Sequence, residues 1–391
     1  MALALPDGMS TPLWRLSART LAGAAIGLVS GFREFKLVDR VSTPGSWRLV
    51  VPAEHRLIAA LTAGPVTVAL QLSLDGGRTW RTTASGPILK RRRARSTDGN
   101  AVVELLGATD LYWLRTRLAY PQPATLAPPF NVDAYDIRTG PAETVIKGYV
   151  TANVSTAAAN TGRRVPGFTV AASTGRGATV TGAGRWQPVG ELVAALAEQG
   201  GVGLTCRDRV FDVSVPRDLS SSGVTFSVAR RNLAAWEWED AAPSVNHEVV
   251  AGGGQGTARV IVEQEDAASV VDWWRVEAFR DRRDTSVVGD LTAQAVADIA
   301  AGVSPAGVSA DLIDTAGAMW EVDYRLGDRV RVDVDGVRLV DQVREVEFAW
   351  TKDGVRVRPT VGFAASTVDL PALFRRLADA EQRLRHLERT Q

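Results

Sequence analysis

The sequence contains one cysteine and three histidines, which leaves little material for catalysis or metal binding. A disulfide needs two thiols, so Cys206 cannot form one within the chain, and a metal site built on several thiolates is excluded as well. The histidines are His55, His247 and His386, far apart in sequence and without neighbouring ligand residues. Neither a zinc site nor a serine–histidine–aspartate arrangement has an evident set of residues. We therefore predict a protein that is not an enzyme and holds no metal or other cofactor.

An excess of charge of one sign is also missing. The 45 Lys and Arg residues nearly balance the 44 Asp and Glu residues, which leaves a formal net charge of +1. Nucleic acid or an anionic membrane is therefore not indicated as a bulk partner. The longest apolar run near the N-terminus covers only residues 21–29, far fewer than the roughly 20 that cross a bilayer. We expect a soluble chain without a targeting segment and without membrane insertion.

Residues 369–391 show the clearest helical pattern. Asp369 suits the N-cap and Pro371 the first turn. The apolar residues recur at spacings of three and four, as in the a and d positions of a coiled coil; they are Leu370, Leu373, Leu377, Ala380, Leu384 and Leu387. The stripe is narrow, and a helix of about three heptads is marginally stable alone. We predict that this helix associates with copies of itself, the alternative being that it lies on its own domain.

A β-rich segment is predicted at residues 1–125, where an N-terminal arm leads into alternating apolar and polar residues. The strand that begins at Val66 ends at the hairpin signal Asp75-Gly76-Gly77. Residues 88–95 and 101–106 are predicted to pair as the next hairpin. Asp110 is the expected N-cap of a short helix. Strands at this spacing, closed by one helix, are typical of a small barrel.

A second β-rich segment is predicted at residues 226–366. Its clearest part is residues 329–363, where Val330, Val332 and Val334 alternate with charged residues. This pattern predicts an antiparallel meander with one buried and one charged face. A strand rich in tryptophan is expected at residues 272–279 and a helix near residues 291–301.

Between these segments, residues 126–225 are predicted to form a linker and an α+β domain. A helix is expected after Pro188, ending at Gly200-Gly201, and a hairpin should turn at Arg207-Asp208 with Cys206 on its apolar face. The predicted fold is thus mainly β with an α+β insertion: two small antiparallel β-barrel-like tube domains, an α+β domain between them and a C-terminal coiled-coil helix at residues 367–391.

Three short motifs are candidates for chemistry. Residues 73–80 fit the S-x-D-x-G-x-T-W Asp-box of sialidase-type propellers, but a propeller repeats this box in each blade and here it occurs once. We interpret it as a well-formed hairpin, with Asp75 and Trp80 as an alternative glycan contact. Residues 252–256 are rich in glycine, but no helix is predicted after them, so a hairpin tip is favoured over a phosphate loop. The basic patch Lys90 to Arg93 with Arg95 lacks stacking aromatics, so an acidic protein partner is favoured over nucleic acid.

Several stretches together carry a resemblance to a known family. They lie in the expected order at residues 45–49, 85–88, 110–111, 118–121, 138–145, 217–219, 226–228, 232–233, 281–284 and 326–330. An example is Leu326-Gly327-Asp328-Arg329-Val330. The chain resembles the tail-hub, or baseplate-hub, proteins of long-tailed phages that infect actinobacteria. The resemblance spans about residues 33–363, although no single motif in it is specific.

The resemblance implies a homotrimer that forms a pseudo-hexameric ring, closes or continues the tail tube and anchors spike or receptor-binding parts. The implied partners are further copies of the chain, the tail-tube and distal tail proteins, the tape-measure protein and a spike or receptor-binding protein, with DNA only in transit through the channel. The implied location is the tail tip of the virion, after assembly in the host cytoplasm.

Charged strand faces supply the candidate residues for subunit contacts or for the channel lining, two uses that the sequence leaves open. These candidates are Arg329, Arg331, Asp333, Arg356 and Arg358. The alternative function is a glycan-binding or glycan-degrading tail protein.

Overall fold

The computed structural model describes residues 12–95, 101–126, 132–221, 223–239, 241–283, 285–302, 307–312, 317–334 and 336–362. The chain forms two compact units. One comprises the residues up to Trp236 together with Ala310–Val361, and the other comprises Glu237–Ser309. The predicted coiled-coil residues, Leu370 to Leu387, lie outside the described residues.

The first unit begins with seven strands and two short helices. They are β1 (Leu13–Thr20), β2 (Ala25–Leu28), β3 (Glu34–Arg40), β4 (Ser46–Pro52), α1 (Ile58–Thr62), β5 (Val66–Ser73), β6 (Arg81–Arg95), β7 (Ala101–Ala108) and α2 (Tyr112–Arg115). All eight residues of β5 are buried, and this strand lies between β1 and β6. The predicted β5–β6 and β6–β7 hairpins are both confirmed.

The predicted capping role of Asp110 is wrong. The N-cap of α2 is Leu111, and no side chain caps this helix. The Asp110 carboxylate is buried instead, where it accepts hydrogen bonds from Ser85 Oγ at 2.5 Å, Trp113 Nε1 at 3.0 Å and the Arg209 backbone N–H at 3.1 Å. The Asp110 carboxylate thus binds residues distant in sequence, Ser85 and Arg209, instead of capping the helix that follows it.

An α+β segment follows in the same unit. Its elements are β8 (Asp136–Pro141), α3 (Ala142–Asn153), β9 (Thr169–Val170), β10 (Thr179–Gly184), α4 (Val189–Gln199), β11 (Gly203–Arg207) and β12 (Val210–Ser214). The predicted helix after Pro188 and the predicted hairpin are confirmed, with Cys206 paired to Phe211 in register. Burial raises the pKa of the Cys206 thiol well above its usual value, consistent with a core residue.

The second unit is built around a three-stranded sheet. Before it, the chain forms β13 (Thr225–Ser227) in the first unit and β14 (Leu233–Glu239) at the boundary. The elements within the second unit are β15 (His247–Ala251), β16 (Ile261–Glu265), α5 (Ala267–Asp272), β17 (Glu277–Asp281) and α6 (Val288–Gly302), and β18 (Gly307–Leu312) lies at the second boundary. Strand β15 lies between antiparallel β16 and parallel β17, and α6 packs Leu291 and Ala295 against Val250. The predicted strand rich in tryptophan is wrong, because α5 ends at Asp272 and the two tryptophans lie in the connection to β17.

The chain returns to the first unit with the predicted meander, which is confirmed as β19 (Arg329–Val334), β20 (Val337–Thr351) and β21 (Gly354–Gly362). Strand β20 pairs with β21 along one edge and with β3 along the other. The resulting 13-stranded sheet has the order β14-β18-β21-β20-β3-β4-β7-β6-β5-β1-β2, and β13 joins it through β19.

This topology corrects the prediction of two small β-barrel-like domains. In the described residues, the early and late strands belong to one sheet whose path does not close into two barrels. Alternation reveals which side chains face the core, but it does not identify the neighbouring strand. The mainly β character of the fold is confirmed, whereas the domain boundaries at residues 125, 225 and 366 remain predictions.

Candidate interaction surface

One face of the 13-stranded sheet carries charged side chains across six neighbouring strands, from β21 through β20, β3, β4 and β7 to β6. Residues that pair in register point to the same side of a sheet. The charged side chains that share this side, which we name the charged face, are Arg356, Arg358, Glu345, Glu347, Glu34, Lys36, Arg40, Arg48, Glu104, Lys90 and Arg92. The alternate residues point to the core and are buried, as Leu37 on β3 and Leu49 on β4 show.

Arg48 lies at the centre of an ion-pair network on the charged face. Its guanidinium donates to Glu34 on β3 and to Glu104 on β7. Lys36 Nζ lies 3.2 Å from Glu34 Oε1, and Arg92 Nη1 lies 3.7 Å from Glu104 Oε2. The hydrogen bond with Glu104 raises the pKa of Arg48, and the same bond lowers the pKa of Glu104. Both groups are therefore held charged, and the network ties four strands together.

The end of the charged face at β20 and β21 is less fully paired. A polar depression of about 350 Å³ lies there, and its charged lining is three carboxylates and three cations, namely Glu34, Glu347, Asp353, Lys36, Arg356 and Arg358. Among the described residues, Arg356 and Glu347 take part in no ion pair closer than 4 Å. Counted over the whole charged face, seven cations stand against four carboxylates. The face therefore offers positive charge to a partner.

The structure divides the predicted contact residues into two groups. Arg356 and Arg358 lie on the charged face, while Arg329, Arg331 and Asp333 lie on β19, which pairs with β13 and with the first part of β20. Arg331 Nε lies 3.3 Å from Asp333 Oδ2. Sequence reasoning missed the network around Arg48. Its only signal is the charged alternate positions of β3, β4 and β7, and their partners become evident only with the strand order.

The basic patch occupies the far half of β6, which is exposed on both sides. Arg91 Nε donates to Leu61 O at 3.3 Å, and Arg92 belongs to the network described above. Lys90, Arg93 and Arg95 form no ion pair with the part of the chain that the structure describes. Cations of this kind on an exposed strand discourage edge-to-edge pairing and attract acidic surfaces.

The Asp-box turn is held together by its own side chains. The Asp75 carboxylate accepts from the backbone N–H groups of Arg78 and Thr79, both at 3.0 Å, and from Ser73 Oγ at 2.7 Å. These bonds, together with one from the Thr79 hydroxyl, lower the pKa of Asp75. Trp80 Nε1 donates to Gly77 O at 3.0 Å, and the Arg15 guanidinium lies 4.1 Å above the Trp80 ring. The hydrogen-bonding atoms of Asp75 and Trp80 are thus used within the fold.

Across the described ranges, no three His, Cys, Asp or Glu residues are grouped so that they could hold a metal ion. The helices in those ranges include none that is long and apolar enough to cross a membrane.

Solved structures share this fold over nearly the whole chain. The 43 kDa tail protein of prophage MuSo2 from Shewanella oneidensis is 12% identical with a TM-score of 0.60, and the alignment covers 90% of this chain and 98% of that one. A tail protein from Neisseria meningitidis MC58 is 15% identical with a TM-score of 0.56, covering 90% and 96%. Prophage tail protein gp18 from Listeria monocytogenes EGD-e is 8% identical with a TM-score of 0.50, covering 94% and 99%. At these identities the similarity shows the fold alone, which is that of phage and prophage tail proteins.

The family is established by sequence. Residues 19–363 match the family described as Siphovirus ReqiPepy6 Gp37-like protein, and the chain belongs to this family of phage tail proteins. No curated protein matches the sequence. The predicted membership in a phage tail protein family is thereby confirmed, while an actinobacterial host remains a prediction.

Proposed function

We propose that the chain is a structural, non-enzymatic hub of the tail tip or baseplate. Three copies form a pseudo-hexameric ring that closes or continues the tail tube and anchors spike or receptor-binding parts. The observation that carries this proposal is the charged face, which extends across six strands of a single sheet in a member of a phage tail family.

The sheet suits a ring in which each chain supplies two β segments. Strands β1 to β7 and strands β19 to β21 are separate antiparallel segments joined side by side by the β3–β20 pairing. Three such chains would present six segments around an axis. Contacts between unlike surfaces close into a ring when the rotation between copies returns to the start, which avoids open fibres.

The charged face suits contact with a protein partner or the channel lining. Around Arg48 the charges are paired within one chain, so that part of the face is already neutralised. Glu347, Arg356 and Lys90 form no ion pair within the described residues and can pair with a neighbouring subunit. Complementary charges of this kind fix register and partner choice more than they add affinity. Arg329, Arg331 and Asp333 remain a second proposed contact group.

The proposed partners are the tail-tube and distal tail proteins, the tape-measure protein and a spike or receptor-binding protein. DNA meets the chain only in transit, and the hub is assembled in the host cytoplasm before it resides in the virion. Residues 367–391, predicted from the sequence to be helical, contribute the threefold association in this proposal through Leu370, Leu373, Leu377, Ala380, Leu384 and Leu387.

Native mass spectrometry of the full chain tests the hub proposal. We expect a species of three times 41.8 kDa, and we expect deletion of residues 367–391 to shift it toward monomer. The substitutions Leu377→Asp and Leu384→Asp should have the same effect, whereas Arg375→Ala and Arg385→Ala, at outward-facing positions of the heptad, are the control and should leave the trimer intact. A full chain that stays monomeric at micromolar concentration would overturn the proposal.

Glycan binding through Asp75 and Trp80 is the alternative function, and the geometry of the turn does not favour it. The Arg15 guanidinium covers one face of the Trp80 ring, and the Asp75 carboxylate already accepts several hydrogen bonds. Binding of cell-wall polysaccharide that is abolished by Trp80→Ala would reverse this judgement.

A further inference from the structure

A second concave site in the first unit differs in chemistry from the charged face. It is a pocket of about 690 Å³ between the beginning of β1, the β2–β3 connection and the β20–β21 turn. Its apolar lining consists of Trp14, Leu16, Leu28, Val29, Phe32 and Trp350. Leu28 is 46% exposed, so apolar surface remains open to a partner. Volumes of roughly 300–1,000 Å³ with mainly apolar walls are typical of ligand pockets.

The aromatic walls of the pocket are held in place from behind. The Trp14 ring stacks on Trp320 with centroids 5.6 Å apart and packs on Phe348 at 4.9 Å. Trp320 and Phe348 are both buried. Phe32 meets Trp350 edge to face at 4.9 Å. Because these rings pack on one another, the pocket is formed before any partner arrives, which lowers the entropic cost of binding.

Among the residues that the structure describes, every charged side chain that lines this pocket is a cation. They are Arg15, Arg33 and Lys352. Arg15 is engaged, since its Nε donates to Gln71 Oε1 at 2.9 Å. Arg33 and Lys352 are exposed, and their side chains form no ion pair or hydrogen bond with the residues described by the structure. Two available cations therefore stand at the rim of an aromatic pocket.

We propose that this pocket binds a peptide segment with an aromatic or leucine anchor followed by acidic residues. The anchor fills the space between Trp14, Phe32 and Trp350, and the carboxylates pair with Arg33 and Lys352. Buried aromatic and aliphatic anchors dominate the energetics of most protein interfaces, while charges at the rim select the partner. That the segment belongs to a neighbouring tail protein rests on the proposed hub function; the chemistry of the pocket does not.

Calorimetry with three capped hexapeptides tests this assignment on the full chain. The first peptide contains three leucines, one phenylalanine and two aspartates; the second replaces the aspartates with lysines, and the third replaces the apolar residues with serines. We expect binding of the first peptide alone. Equal binding of the first and second peptides, or no binding of the first, would overturn the proposal. So would capture of lysophosphatidylglycerol micelles without binding of the first peptide.

Two variants place the binding in this pocket. The double variant Arg33→Gln and Lys352→Gln should weaken binding of the first peptide about tenfold, because it removes both cations that pair with the two aspartates. The matched pair Arg115→Gln and Arg230→Gln, two exposed cations that line neither the pocket nor the charged face, should leave the affinity unchanged. An affinity that is equal in both double variants contradicts the proposal. A trimer that fails to bind the peptide refutes the pocket alone, whereas a monomer that binds it refutes the hub alone.

Discussion

Arg40 Nε on β3 donates to Glu345 Oε2 on β20 at 2.6 Å, across 305 positions of sequence. The two residues are also direct register partners in the antiparallel pairing of these strands. Both side chains are part exposed, so the ion pair itself contributes little free energy, about 1 kcal/mol or less. The ion pair is informative because it joins β3 to β20, and this pairing places the early and late strands of the chain in one sheet.

A fragment of residues 1–125 should therefore fail to fold as an independent domain. In this fragment β3 loses β20, and the edge of β3 is left with unpaired backbone groups. We expect no cooperative thermal transition by circular dichroism, together with aggregation, whereas the full chain melts cooperatively. A sharp, reversible transition in the fragment would instead support a self-contained barrel in residues 1–125.

Phe348→Ala should destabilise the first unit by about 3–5 kcal/mol. Phe348 is fully buried and packs on Trp14, Phe35 and Trp320. The matched control is Phe279→Ala in the second unit, where the side chain is 63% exposed, and this change should cost about 0.5 kcal/mol or less. Urea unfolding followed by tryptophan fluorescence measures both, and similar costs for the two variants would contradict the described core.

Glu143→Gln should destabilise the α+β segment by on the order of 3 kcal/mol. The buried Glu143 carboxylate accepts from Lys147 Nζ at 2.7 Å, from Arg176 Nη2 at 2.7 Å and from the Arg176 backbone N–H at 2.8 Å. The amide keeps the shape of the carboxylate but removes its charge beside two cations. Glu191→Gln, at an exposed position of α4, is the control, and chemical unfolding should show almost no change for it.

The cost of Glu143→Gln should also depend on pH. Hydrogen bonds from Arg176 and Lys147 lower the pKa of Glu143 in the folded chain. Its stabilising contribution is therefore complete above the ordinary glutamate pKa of about 4.3 and is lost as the pH falls below that value. The difference in unfolding free energy between wild type and variant should shrink from about pH 7 toward about pH 3. A difference that grows on acidification would contradict the assigned ion pairs.

Asp75→Ala should open the Asp-box turn locally without affecting subunit assembly. The substitution removes the acceptor for the Arg78 and Thr79 backbone N–H groups. Hydrogen exchange at the Thr79 amide should accelerate, while native mass spectrometry should show the same oligomer as wild type. Asp353→Ala, in the β20–β21 turn, is the control, and it should leave exchange at Thr79 unchanged. Unaltered exchange in Asp75→Ala would mean that other contacts hold the turn.

Individual helices and hairpins were predictable because they depend on residues that are close together in the sequence. The hairpin after Val66, the helix after Pro188 and the meander from Arg329 all depend on spacing and turn residues close in sequence, and all are confirmed. The β3–β20 pairing was not predictable, because any amphipathic strand offers two edges and alternation does not select the neighbour.

The charged face was partly predictable from the sequence, whereas the aromatic pocket was not. Arg356 and Arg358 were identified from the alternation on their own strand. The pocket beside Trp350 was missed, because its walls come from β1, the β2–β3 connection and β20, which meet only after the sheet has formed. For Asp110, the sequence predicted a helix cap, but the folded chain uses the carboxylate for hydrogen bonds with Ser85 and Arg209.

The order of the sheet has a consequence for synthesis on the ribosome. The residue opposite Arg40 is translated 305 positions later, a delay of about 15–60 s at roughly 5–20 residues per second. During that interval one edge of the nascent β3 has no partner strand, and its backbone N–H and C=O groups are open to pairing with another chain. The charges of β3 do not prevent such pairing, because Glu34 and Asp39 balance Lys36 and Arg40 within the strand. Protection of this edge therefore depends on the arrival of β20.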